Sequence, residues 1–105
     1  MPRIPDHREI AATAARAATS VPGVAALTSR PADRLRPPAA PGVRIQSRDA
    51  ATRTDLEISL AVRMGHPATA VARQVRVAVI ESLHADHPRV WATDVTVSVT
   101  VTAIV

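Results

Sequence analysis

The sequence predicts an α+β fold. Two helices pack on one face of a small three- to four-stranded mixed sheet, in the order α-β-β-β-α-β. Three observations lead there. Val95, Val97, Val99 and Val101 alternate with Thr96, Ser98, Thr100 and Thr102, a period of two built from β-branched and small residues. Leu56, Ile58, Leu60, Val62 and Met64 repeat that period earlier in the chain. Two further stretches place their apolar residues at helical spacing. The length of 105 residues suits a single domain, residues 1–105.

The first element is a helix. Asp6 and Glu9 have the spacing of a capping box, and Pro5 stops anything earlier. Ile10, Ala14, Ala18 and Val21 then mark a narrow face of small residues, suited to lying close against a sheet. Pro22-Gly23 breaks the helix. The apolar run Val24 to Thr28 is a short first strand. Arg30 to Pro41 holds four Pro and three Arg, which is loop chemistry.

Gly42 to Ser47 alternates apolar and polar as a half-buried strand does. After a turn over Arg48 to Arg53 comes the strand of Leu56 to Met64, and the two form a hairpin. Asp55, Glu57, Ser59 and Arg63 occupy its opposite face, together with Ala61. Gly65-His66-Pro67 ends that strand, with Pro67 placed to open a second helix. Val71, Val75, Ala78, Val79 and Leu83 form its apolar face, Arg73 and Arg76 fall on the other side, and His84 to Pro88 ends it. Asp94 to Val105 is the closing strand, with its valines toward the helices and its Thr/Ser row toward solvent or a partner, and as an unpaired edge it invites another strand.

Composition narrows the function classes. There is no cysteine, which excludes disulfides, thiolate chemistry and Cys-based zinc sites and fits a reducing cytoplasm. Trp91 is the only aromatic residue, so the core must be built from Val, Ile, Leu and Ala. All thirteen basic residues are Arg, which together with the many Ala and nine Pro is the mark of GC-rich coding. Residues 1–53 hold nine Arg against four acids, whereas residues 54–105 hold four against five. The first half therefore suits an anionic partner. No stretch approaches the roughly 18 apolar residues of a membrane-spanning helix. The mixed-charge start, Arg3, Asp6, Arg8 and Glu9, is not that of a signal peptide.

Four pieces, in order, resemble the alkaline shock protein family of envelope stress response proteins, common in Gram-positive bacteria. They are the Ile10-Ala11 helix start running into Val21-Pro22-Gly23-Val24 with Leu27 soon after, the Gly42-Val43 strand start, the alternating strand ending at Met64-Gly65 before Val71-Ala72, Val75 and Val79, and the closing Val95 to Val101 strand. The resemblance covers nearly the whole chain, and its weight lies in the order of the pieces. The chain departs from the family pattern at His66-Pro67-Ala68, at His84 to Pro88 and in the Pro-rich Arg30 to Pro41 loop. The resemblance implies a non-enzymatic cytoplasmic protein, peripheral at the inner face of the cell membrane. Such a protein assembles with itself or docks onto a membrane-anchored partner. It brings no catalytic residues and no cofactor.

The residues offer little chemistry of their own. His84, Asp86 and His87 are metal-capable, but a zinc-type ion needs three or four converging ligands, and a solvated helix end is the favoured reading. Asp55 and Glu57 mimic a carboxylate pair, yet exposed acids beside Arg63 are more simply a solvated surface. No Gly-x-Ser-x-Gly elbow frames any Ser, and three Gly cannot build a phosphate cradle. The element order is close to that of KH RNA-binding modules, but Gly65-His66-Pro67-Ala68 lacks their second Gly, and stacking aromatics are missing. Nucleic-acid binding through Arg30, Arg34, Arg36, Arg44, Arg48 and Arg53 is the disfavoured alternative. The expected function is a structural or interaction module. Its candidate contact residues are Trp91 as an aromatic anchor, the Thr96, Ser98, Thr100 and Thr102 row, and Arg34, Arg36 and Arg44 for an anionic partner.

Overall fold

Six elements follow the expected order: α1 (His7–Thr19), β1 (Val24–Leu27), β2 (Val43–Arg48), β3 (Arg53–Val62), α2 (Ala68–Asp86) and β4 (Asp94–Ile104). The computed structural model describes residues 7–28, 42–48, 53–87 and 94–105. The Pro-rich Arg30 to Pro41 stretch, Asp6 of the expected capping box, and Trp91 lie outside the described residues.

β3 is the spine of the sheet. β4 runs parallel to it over its whole length, from Arg53↔Asp94 to Val62↔Ile104. β2 pairs antiparallel with its first part, from Arg48↔Arg53 to Val43↔Ile58, as the hairpin reading requires. β1 pairs antiparallel with its last part, Leu27↔Leu60 to Val24↔Val62. Because β4 occupies one edge of β3 throughout, β1 and β2 share the other, end to end. Ser59 shows the junction: its N–H donates to the Gly42 carbonyl and its carbonyl accepts from the Thr28 N–H. The four strands thus make a mixed sheet only three strands wide. α2 is the crossover that a parallel β3–β4 pair demands.

The helices cover one face. Leu56, Ile58, Leu60 and Val62 of β3 are fully buried beneath Val71, Val75, Val79 and Leu83 of α2 and the small face of α1. In α1, Ala11, Ala14 and Ala18 have no exposed surface, so the backbone itself approaches the sheet. Thr13 joins that buried face, which the spacing argument from Ile10, Ala14 and Ala18 did not include. Val97 is the most buried β4 valine, while Val95, Val99 and Val101 are half-buried along the sheet's margin.

Two boundaries differ from expectation. β3 starts at Arg53 and ends at Val62, so Met64 is not the last member of its apolar row and is 77% exposed. Arg63 and Met64 still donate their N–H groups to the Gly23 and Val105 carbonyls, and Gly65 at φ 93° lies in the turn that follows. α2 runs on through His84 to Asp86, and His87 closes it by donating its backbone N–H to the Leu83 carbonyl.

Gly23 and Gly42 sit where a side chain has no room. Gly23 has φ +95°, and a Cβ there would lie 2.8 Å from His66 Nδ1 and 2.9 Å from Val71 Cγ2. Gly42 has φ +77°, and its Cβ would lie 2.7 Å from Leu27 Cβ at the β1–β2 junction. Both conformations are open to glycine and strained for other residues.

Candidate functional site

The sheet face turned away from the helices carries the predicted polar row. Register aligns it in rungs across the three strand positions. Gln46, Asp55 and Thr96 form one rung, Arg44, Glu57 and Ser98 the next, and Ser59 with Thr100 a third. This follows from the period of two, since residues that share a rung share a face. A shallow cavity of about 210 Å³ lies there, lined by Gln46, Asp55, Glu57, Thr96 and Ser98.

The lining is carboxylate, carboxamide and hydroxyl. Glu57 stands directly across from Arg44, an opposite-charge cross-strand pair that stabilises the sheet. Arg44, Gln46, Asp55 and Glu57 all have interaction partners. Arg44, expected to hold an anion, is therefore set opposite an acid on a face that also carries Asp55. Arg34 and Arg36 lie outside the described residues. The face can exchange hydrogen bonds with a partner. It brings no histidine to the carboxylates, and so lacks the base-and-orienter arrangement of an activated nucleophile.

Toward the other end of the face, Thr102 reaches across β3. Its Oγ1 lies 2.7 Å from Thr28 Oγ1 and donates to the Leu60 carbonyl at 3.2 Å. At that level β3 presents Ser59 and Ala61, both small and buried. All four residues of the predicted hydroxyl row, Thr96, Ser98, Thr100 and Thr102, are exposed, and Thr102 also donates to the Leu60 carbonyl.

The histidine-rich end of α2 does not converge. His84 and Asp86 are two residues apart on a helix, so they project to different sides. His87 Nε2 is 2.8 Å from the buried Thr13 Oγ1 of α1. Asp86 lies 3.7 Å from Arg16, and both of those side chains are more than half exposed, so the pair contributes little. These contacts fasten the end of α2 to α1. Among the described residues no group of three His, Cys, Asp or Glu side chains is placed to hold a metal ion. Among them, too, no helix is long and apolar enough to cross a membrane.

The most open feature is a backbone edge. Among the described residues, β4 pairs as a strand with β3 alone, so the outward N–H and C=O groups of this 11-residue strand face no other described strand. The sequence offered this closing strand as an edge, and the sheet order places it at the margin of the described sheet.

No protein-family model matches the chain, and no curated protein matches it. Solved structures of the MamM CTD do share its fold. A Met-to-Leu variant superposes with TM-score 0.54 at 16% identity, covering 93% of this chain and 99% of that one. A Cys-to-Ser variant gives 0.53 at 16% identity, covering 93% and 98%. An Asp-to-Ala variant gives 0.54 at 14% identity over the same shares. At these identities the likeness is one of fold, and it spans nearly all of both chains.

Proposed function

We propose that this domain is a non-enzymatic interaction module that works by self-association. The observation that carries the reading is the edge of β4, which pairs with no described strand besides β3, is eleven residues long and is charged only at its first position, Asp94. An edge of this kind is a ready template for a further strand. Among the described residues, the polar face beside it gathers hydrogen-bonding groups without a convergent acid, base and nucleophile of the kind catalysis needs.

The alkaline shock resemblance supports the same class of function. It also supports a finer placement, at the inner side of the cell envelope and docked onto a membrane-anchored partner. The likeness to the MamM CTD, a fold that stands as a domain by itself, fits a module. Copper and nickel forms occur among those MamM CTD variants. In this chain Asp86 and His87 are engaged by Arg16 and Thr13 of α1, and among the described residues no three such side chains are grouped to hold a metal ion.

Light scattering over a concentration series tests the reading. The mass should rise above the 11.1 kDa of one chain as concentration increases. A fixed monomer at every concentration would contradict it.

A further inference from the structure

We infer that the partner seated on the β4 edge is β4 of a second copy, antiparallel, in a register centred on Ser98. This rests on the self-association reading and names the surface that carries it.

The two edges of the sheet are not equivalent. The β1/β2 edge is interrupted between Leu27 and Gly42, shifts register between Val24 and Ala26, and carries Arg44 and Arg48. The β4 edge is continuous from Asp94 to Val101, and its first register shift comes at the level of Leu60 and Ala61. From Val95 to Val105 it has no charged residue and no Pro. It therefore lacks the usual devices that keep edges apart.

The side-chain pattern of β4 is self-complementary in one register. With Ser98 opposite Ser98 of the second copy, Val97 meets Val99, Thr96 meets Thr100, and Val95 meets Val101. All four valines then face valines on the helix side, and Thr96, Ser98 and Thr100 face hydroxyl residues on the polar side. Centring one residue earlier leaves Val101 beyond the start of the facing strand. Centring one residue later sets Val95 against Ala103. The Ser98 register also sets the two copies of Asp94 at opposite ends of the paired segment. Val95, Val99 and Val101, half-buried along this margin, are the groups such a pairing covers. The arrangement closes on itself by a two-fold axis, so it yields a dimer with one continuous sheet.

Cysteine cross-linking of the full chain tests the register, since the protein has no cysteine of its own. Facing residues of an antiparallel pair have Cα atoms about 4.5–5.5 Å apart, within disulfide range. Ser98→Cys should form a covalent dimer on mild oxidation. Thr96→Cys and Thr100→Cys should each fail alone, being offset by about 13 Å along the strands, yet link when mixed. Ser98→Lys places two ammonium groups face to face on an exposed site and should weaken dimerisation at least tenfold, with an unchanged circular dichroism spectrum. If the wild type associates while Ser98→Cys does not cross-link and Ser98→Lys leaves the dissociation constant unaltered, this interface is wrong and self-association stands. If the wild type stays monomeric, both fail.

Discussion

Thr28 and Thr102 meet across the central strand with their hydroxyl oxygens 2.7 Å apart, although 74 positions separate them in sequence. One follows β1 on one edge of β3, and the other belongs to β4 on the opposite edge. The bond therefore joins the N-terminal half of the chain to its last strand. Thr28→Val and Thr102→Val should each cost about 0.5–1.5 kcal/mol in urea unfolding, with Thr102→Val the costlier because its hydroxyl also donates to the Leu60 carbonyl. The double variant should cost less than the sum of the two, which a double-mutant cycle measures directly.

The turn glycines should separate by their surroundings. Gly23→Ala meets both an unfavourable φ and a Cβ under 3 Å from His66 and Val71. Gly65→Ala meets only the unfavourable φ, since nothing lies within 4 Å of its Cβ. The expected loss is about 1 kcal/mol for Gly65→Ala and distinctly more for Gly23→Ala. Equal losses in chemical denaturation would show that the packing of Gly23 against α2 has been misjudged.

Two aliphatic residues of α2 should behave oppositely. Leu83 is fully buried, so Leu83→Ala should cost about 2–5 kcal/mol through lost burial and the cavity left behind. Val77 is 49% exposed on the same helix, so Val77→Ala should stay within about 0.5 kcal/mol of the wild type. Thermal unfolding of the two variants side by side reads the difference.

Much of this fold is legible in local pattern. The valine and hydroxyl alternation of β4 survives as one row toward the helices and one toward the polar face, because a strand converts a period of two directly into two faces. The Ala-rich stripe of α1 likewise marks a helix that sits close to the sheet. Met64 shows the limit. Its spacing matches the β3 row, but the strand ends at Val62 and Met64 already belongs to the turn with Gly65, where it is exposed. The buried Thr13 could have been found by extending the spacing from Ile10 by three. Its partner His87 could not, because periodicity says nothing about which residue 74 positions away completes a hydrogen bond. The end-to-end placement of β1 and β2, and hence the marginal position of β4, is also a tertiary outcome. The Thr96, Ser98 and Thr100 row and the edge of the closing strand were both visible as contact surfaces, while the neighbour that β4 pairs with was not.

Amide hydrogen exchange along β4, measured at low and at high protein concentration, tests the central claim most directly. If the domain self-associates through this edge, alternate amides between Val95 and Val101 should exchange freely when dilute and become protected on concentration. The amides bonded to β3 should remain protected throughout. Exchange rates along β4 that are the same at both concentrations would contradict the account.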